Sequence, residues 1–497
     1  MHGLAANGPI GYNRQSWFGR FELEHDEDTL NNRRKFMQGA ATASIAIGFC
    51  HGDSMPQLYG RPNQPEPVQP EPTYPEPTIQ AWVNATLLPV DLPQVRDGVL
   101  VTSGGKIIAV GSKADVKIPA GAAVVDAKGK WIMPGLVCTH SHIGGFGAAD
   151  SSGPIQPGVR ILDSLNVRDA GFRRALAGGL TTLNVMPGSG HLISGQTVYC
   201  KLRYHGSSPS VVDDILIRDK DGKSLGGLKM ANGTNSQGDA PFPGTRGKSA
   251  YLVREQYIKA REYHAKVVAA GGDESKLPPR DLNLECLVEA MQGKRIVHHH
   301  THRHDDIITV IRLSQEFGFQ TVLHHVSDGW KVAKEIAAAK LPCSIIVLDS
   351  PGGKLEAKDL LFKNGRVLDE AGVRVAFHTD DWITDSRLFM RSAALAVRAG
   401  MNRAKAIDGL TLAGAEMLGL GDRIGSLTVG KDADFAILSG DPLSVYTRVL
   451  ETWVEGKKAF DLSIPEDQLY AEGGVNAGSD LDPFLCCYAP AWQGGAK

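Results

Sequence analysis

The 497-residue chain has little of what marks the disulfide-stapled, nucleic-acid-binding or membrane-spanning classes. Its seven cysteines form no CxxC pair, so neither a zinc ribbon nor a disulfide framework can be drawn from them, and the adjacent Cys486-Cys487 read as tail residues. Excess charge of one sign is missing too. A formal net charge of −2 gives no electrostatic case for nucleic acid or an anionic membrane surface. The longest apolar stretch near the N-terminus runs to about eleven residues, too short to span a bilayer. What is present is a globular composition, 42% hydrophobic and 22% charged, long enough for one large domain and a smaller one.

Residues 1–77 stand apart from the fold. Arg33-Arg34-Lys35-Phe36-Met37-Gln38, followed by GAATASIAIGF, resembles a twin-arginine export motif, so residues 1–55 read as a signal. The region before the arginines is longer and more acidic than such signals carry. Phe49 stands before Cys50 where lipidation needs a small residue. The expected location is periplasmic or otherwise exported; an arginine pair in a polar helix would leave the chain in the cytoplasm. Residues 56–77 repeat Pro-Glu, and proline fixes φ and removes donors, so this is an extended linker.

The body is organised around WIMPGLVCTHSH, residues 131–142. Pro134-Gly135 signals a turn, and Leu136 to Thr139 reads as a short buried strand. His140 and His142 close it. Side chains two apart on a strand point the same way, so the two imidazoles converge as a chelating pair would. Before this stretch, VRDGVLVTSGGKIIAVG carries two apolar runs about a Gly-Gly turn, a hairpin signal. After it, strands alternate with helices. A helix is expected over 161–177, then the strand TTLNVMPG. Asp305-Asp306 would cap a helix that Gly318 ends, and a further helix is expected near 356–370. NGTNSQGDAPFPGTRGKS, residues 232–249, reads as a long irregular segment suited to a lid or binding wall.

In order, PGLVCTHSH, HHHTHR, LHHVSDG, FHTDD and GSLTVGKDADFAIL resemble the metal-dependent amidohydrolase superfamily, and within it the imidazolonepropionase-related group. The resemblance covers residues 78 to 462. It implies an α/β fold: a (β/α)8 TIM-like barrel over 134–421 and a small flanking β-sandwich built from 78–133 and 422–465, with 466–497 as a C-terminal tail. Neither sandwich piece has enough strands to bury a face alone. In such barrels catalytic residues sit at the C-terminal ends of strands, where the histidine- and aspartate-bearing motifs all fall.

The resemblance also assigns roles. His140 and His142 correspond to the family's first-strand metal pair, His300 to the fifth-strand ligand, and His325 to the sixth. Asp380 corresponds to the catalytic aspartate, ligating the ion and passing a proton from water to the leaving group. Asp381 is its competitor as general base. His298 shares a face with His300 but lies deeper; His299 faces the helices, and His324 reads as a packed neighbour. A two-metal site needs a bridging anion, for which Lys229 in GLKMANG would be a carboxylated lysine, with Lys201 as competitor. His302, Arg303 and His304 fall in the following loop. Substrate contacts are expected from His302, Arg303, His191 and Gln196, and Arg246 could recognise a carboxylate. The cofactor is one or two divalent ions, zinc foremost, with iron or manganese also tolerated by His/Asp ligands. The partner is a small-molecule substrate, with no nucleic acid and no membrane span; a homo-oligomer is compatible with the family.

The implied chemistry is metal-assisted hydrolysis of a C–N bond in an amide, peptide-like or cyclic amide substrate. Ring-opening of an imidazolone-like substrate shares this machinery. Deaminase relatives carry a glutamate three residues after the fifth-strand histidine, where this chain has Arg303. A non-catalytic barrel would be expected to have lost ligands that this chain keeps.

Overall fold

The computed structural model describes residues 79–473 and 477, apart from 145–149, 151, 206–207, 348–353 and 382. The export motif, the Pro/Glu linker and Cys486-Cys487 lie outside the described residues. Five strands open the chain: β1 (Gln80–Leu87), β2 (Val95–Ser103), β3 (Lys106–Ser112), β4 (Ala123–Asp126) and β5 (Trp131–Pro134). β2 and β3 form a hairpin whose turn residues Gly104 and Gly105 have φ of 56° and 76°, a backbone that costs glycine no Cβ clash.

β6 (Leu136–Ser141) is buried along its whole length, as a strand covered on both faces must be. The first α-helix, α1 (Ala170–Ala177), is shorter than the expected 161–177, with Ile161–Ser164 making a single 3-10 turn. Between them the Asn166 side chain accepts the Arg168 amide at 3.0 Å, a local bond that competes with helix; Asp169 then caps α1 by accepting the Gly171 amide at 2.7 Å. β7 (Leu180–Val185) runs parallel to β6. Next come β8 (Ile193–Gln196), β9 (Val198–Lys201) and β10 (Leu228–Ala231). β8 pairs antiparallel with β10, Gly195 opposite Lys229. A Cβ on Gly195 would meet the Val159 carbonyl oxygen at 2.5 Å, so only glycine fits that approach.

The irregular segment ends at Thr245, sooner than expected. Its hydroxyl accepts the Lys248 amide at 3.2 Å and starts α2 (Arg246–Ala269). α3 (Leu282–Met291), β11 (Val297–Thr301) and α4 (His304–Phe317) follow. Arg303, not Asp305 or Asp306, is the N-cap of α4; the two aspartates lie in its first turn, where they favour the helix dipole, and Gly318 ends it at φ 76°. Then come β12 (Thr321–His325), α5 (Ala333–Ala338), β13 (Cys343–Ile345), α6 (Asn364–Glu370) and β14 (Val375–Phe377). α6 starts later than expected, because Leu355–Ala357 closes only one 3-10 turn. β10 to β14 lie parallel and in sequence order in a six-stranded sheet with β8, while β6 and β7 form a three-stranded sheet with β9. The Asp380 amide donates to the His140 carbonyl at 3.0 Å and joins the ends of β6 and β14. The strand ends that carry the histidines therefore meet.

β15 (Phe435–Leu438), β16 (Val449–Val454) and β17 (Lys457–Asp461) return to the first sheet, where β15 pairs with β5. One eight-stranded sheet thus draws on both ends of the described chain, in the order β17-β16-β15-β5-β1-β2-β3 with β4 beside β1. Trp82 packs edge-on against Phe435 and Trp453, ring centroids 4.8 and 5.0 Å away, so neither piece buries its aromatic face without the other. Beyond β17 the chain is helical over Pro465–Glu472, where a tail was expected; Pro465 occupies the first turn, and Asp467 accepts the Asp461 amide at 2.9 Å. Among the described residues no helix is long and apolar enough to cross a membrane.

Lys201 belongs to this framework and not to the histidine cluster. Fully buried at the end of β9, its ammonium lies 2.5 Å from Asp432 and 2.6 Å from Asp434. Burial pushes both carboxyls up; Lys201 with Lys106 overcomes this at Asp432 and takes it down to about 2, whereas the deeper Asp434, repelled also by Asp432, stays raised. Replacing the lysine leaves the buried Asp434 without its cation, Asp432 keeping Lys106 and Arg423, so Lys201→Met should destabilise the fold by about 3–5 kcal/mol. Urea denaturation checks this, and a variant as stable as the parent would show that the cluster holds nothing together.

Candidate metal centre

His140 is the penultimate residue of β6 and His142 follows the strand, and their Nε2 atoms lie 3.2 Å apart. Asp380 Oδ1 sits 3.2 Å from the first and 3.1 Å from the second. Three donor atoms thus form a nearly equilateral triangle. Ligands about 2.1 Å from a common ion are roughly 3.4 Å apart in a tetrahedral set. The spacing therefore fits a divalent cation, and the donors, two imidazoles and a carboxylate, suit zinc, iron or manganese. Lys229 reaches the same point: its Nζ lies 2.9 Å from His140 Nε2 and 3.1 Å from Met186 Sδ, fully buried.

His325 closes the inner side, with Nδ1 4.0 Å from Asp380 Oδ2 and 3.4 Å from His378 Nε2. Three residues here sit in backbone that L-residues rarely adopt: φ is 69° at His325, 50° at the β-branched Val326 and 48° at Asp380. Such conformations persist only where the surroundings impose them, and they concentrate at functional sites. Here the Val326 amide is held by the Thr301 carbonyl at 2.9 Å and the Asp380 amide by His140.

The electrostatics suit ligation. Burial, followed by nearby cations and other imidazoles, holds His140, His300, His302 and His325 well below the ordinary histidine pKa. They are neutral and keep a lone pair. Burial alone would push Asp380 up, but the hydrogen bond and charge of His142, with His378 and Lys229, outweigh it and keep the carboxyl below its usual range. Asp381 behaves oppositely. It is raised by burial and accepts hydroxyls from Ser141 and Thr379, both at 2.6 Å, and from Ser386. It therefore ties the two ligand-bearing strand ends together.

The remaining histidines divide by depth. His300 and His302, two apart on one side of the β11 end, form with His325 a group whose ligand atoms lie within 4.8 Å of one another. Beneath them His298 Nδ1 meets His324 Nε2 at 3.0 Å, and His298 Nε2 meets the Tyr199 hydroxyl at 3.1 Å. His299 is buried on the other side, its Nδ1 3.0 Å from the His300 carbonyl. His378 had no role in the sequence reading, yet its Nδ1 bonds Ser344 Oγ at 2.8 Å and its ring stacks on His140 at 4.9 Å. The signal was present: His378 directly follows β14 and stands two residues before Asp380.

Of the expected substrate contacts, only His302 joins the cluster. Arg303 turns outward and pairs bidentately with Asp305 at 3.0 and 2.8 Å, because it sits at the exposed start of α4. Arg246 is engaged by two carboxylates, Asp306 at 2.8 Å and Glu356 at 3.1 Å, which satisfy the guanidinium expected to meet a substrate. Gln196 spends its amide on the Pro157 carbonyl at 3.4 Å. His191 is buried against Phe242, ring centroids 5.5 Å apart, with its pKa lowered by burial.

The amidohydrolase family model matches residues 131–464. A solved amidohydrolase from Thermotoga maritima is 32% identical with a TM-score of 0.69, covering 77% of this chain and 99% of that one. The chain belongs to the amidohydrolase family. Amidohydrolase tasK of Hapsidospora irregularis is 27% identical over 70% of this chain but only 39% of its own length, so the chain spans well under half of that relative. An imidazolonepropionase of Sphingopyxis alaskensis is 26% identical over 74% of this chain and 94% of its own. Deaminases of 5-methylthioadenosine and S-adenosylhomocysteine are among the other matches.

A pH dependence follows from the neutral histidines. His298 and His378 are taken down to about 3 and His299 to about 4, each first by burial, from an ordinary 6.5. Below pH 6.5 the unfolded chain binds protons that the fold does not, so stability is full above that value and lost as the pH falls towards 3–4. Thermal melts of metal-stripped protein between pH 7.5 and 5 (values about one unit either side of the imidazole range) should show a falling midpoint, less steeply in His298→Asn. A midpoint flat over this range would mean that the imidazoles are already charged in the fold.

Proposed function

We propose that this chain is a metal-dependent hydrolase of C–N bonds acting on a small amide, peptide-like or cyclic amide substrate. The observation that carries this is the triangle of His140, His142 and Asp380 donor atoms, 3.1–3.2 Å on a side, at the meeting of two strand ends. His140, His142 and Asp380 would hold one cation, His300 and His325 would serve a second, and Lys229, as its carbamate, would bridge them. Lys229 Nζ is fully buried 2.9 Å from His140 Nε2, and addition of carbon dioxide to the amine, with release of its protons, would give an anion suited to lie between two cations. When bound, the cation polarises the substrate carbonyl and lowers the pKa of a water from 15.7 towards about 7. Asp380, kept ionised by its neighbours, accepts the proton of the attacking water and delivers it to the leaving nitrogen. Asp381, engaged by three hydroxyls, orients the strand ends and is the weaker candidate for that role.

The (β/α)8 barrel belongs to the same reading, as does a flanking sandwich formed from the eight-stranded sheet. The parallel order of β10 to β14 and the joining of β6 to β14 support the barrel. Imidazolonepropionase-like ring-opening is the second reading, favoured by the match over nearly the whole length of such a relative. Deamination is less well supported: Arg303 stands where a proton-donating glutamate would be needed and is paired with Asp305. A non-catalytic barrel is disfavoured by the retained donor triangle. Export to the periplasm through the twin-arginine motif is part of the proposal too, the folded chain crossing with its metal in place.

His140→Ala and Asp380→Asn should leave the circular dichroism spectrum unchanged and abolish turnover across an amide and dipeptide panel, while His140→Ala also weakens metal binding by at least about 100-fold. Asp380→Asn with full activity would remove Asp380 from proton transfer. Lys229→Ala should lower metal content from two ions towards one, read by elemental analysis; unchanged content and activity would exclude the bridge.

A further inference from the structure

We infer that His302 is a metal ligand, completing with His300 and His325 a second cation position lined by three imidazoles, and that Ser327 is the positioning residue that sets its ring. The inference rests on the metal-dependent reading above and departs from the expectation that His302 touches substrate.

The three side chains leave an unmet demand in a closed interior. Both ring nitrogens of His300 and Nε2 of His325 are buried with no hydrogen-bond partner among the described residues. Buried polar atoms are nearly always satisfied, so such a concentration marks the place of a ligand. His325 Nδ1 looks towards Asp380 at 4.0 Å, which gives its other nitrogen to the second group. The His302 ring stacks on His325 with centroids 4.9 Å apart and stands edge-on to His300 at 4.7 Å.

The tautomer of His302 can be derived. Its Nε2 lies 3.3 Å from Lys354 Nζ, and an ammonium only donates, so Nε2 is the acceptor. The proton is therefore on Nδ1, where it donates to Ser327 Oγ at 2.8 Å. A histidine whose distal nitrogen is fixed by a hydrogen bond and whose lone pair already faces a cation has the arrangement of a metal ligand with its orienting partner. Lys354 occupies the lone pair's side, so its flexible chain must withdraw when an ion binds, and it competes with that ion. Three neutral imidazoles favour zinc, cobalt, nickel or iron over magnesium or calcium.

The test uses the full chain, stripped with chelator and titrated with cobalt(II), following metal per chain by elemental analysis and the cobalt visible absorption. The parent should take up two ions in two steps. His302→Ala and His302→Gln should take up one, with loss of the absorption belonging to the second step. Ser327→Ala should keep two ions but bind the second about 10- to 100-fold more weakly, and Lys354→Met should bind it more tightly. Two ions with unchanged affinity and spectrum in the His302 variants, with only KM raised, would overturn the inference and return His302 to the substrate. One ion in the parent, lost in His140→Ala, would overturn it while leaving the metal-dependent reading intact. No ion in the parent would defeat both.

Discussion

Burial of nitrogen and carboxylate groups that water can no longer satisfy is the constraint on which this structure turns. His140, His142 and Asp380 lie within about one hydrogen-bond length of one another near the end of β6, with Lys229 as close to His140, and all but His142 are almost wholly removed from solvent. Nothing in a hydrophobic core recovers the free energy of stripping water from such groups. Their mutual spacing makes sense as a cage for a positive charge. The surrounding chemistry follows from it: neutral imidazoles around the cage, one carboxylate held ionised by histidine and lysine, and a second carboxylate, raised by burial, held in place by three hydroxyls.

Holding the cage requires backbone that the chain would not choose. His325, Val326 and Asp380 all take positive φ, and a β-branched valine there is strained. The cost is met by hydrogen bonds between neighbouring strand ends and by the parallel packing of β10 to β14 beneath. Asp381 is part of the same support, since its three hydroxyl donors come from Ser141, Thr379 and Ser386, on both sides of the junction.

A second buried polar cluster serves architecture instead. Lys201, Asp432 and Asp434 join the end of β9 to the chain leading into β15, and Arg203, Arg423 and Glu455 extend the network towards solvent. Two buried lysines, Lys229 and Lys201, thus have different surroundings. Lys229 lies against the His140 imidazole, with its charge felt by Asp380, inside the histidine cluster, whereas Lys201 is held between Asp432 and Asp434 away from it, and this placement, not their shared burial, separates a candidate for carboxylation from a structural ion pair.

Much of this was legible in the residues. The strand alternation that puts His140 and His142 on one side, the glycine that stops α4, the Gly104-Gly105 hairpin and the order of the histidine and aspartate motifs are local properties, set by φ/ψ preference and by period two. The matched family model adds the kinship that those motifs announced. Other features depend on partners far away in sequence. Lys201 and Lys229 look alike until Asp432 and Asp434 arrive beside one of them. Arg246 looks available until Asp306 and Glu356 close on it. His378 and Ser327 gain a role only when β14 and the turn after β12 meet the other strand ends. The sequence by itself determined the alternation of strands and helices, though not every boundary, and which residues can ligate. Tertiary structure decided which of them share one buried volume, because counter-charge, desolvation and hydrogen-bond satisfaction are properties of neighbours in space that no local stretch contains.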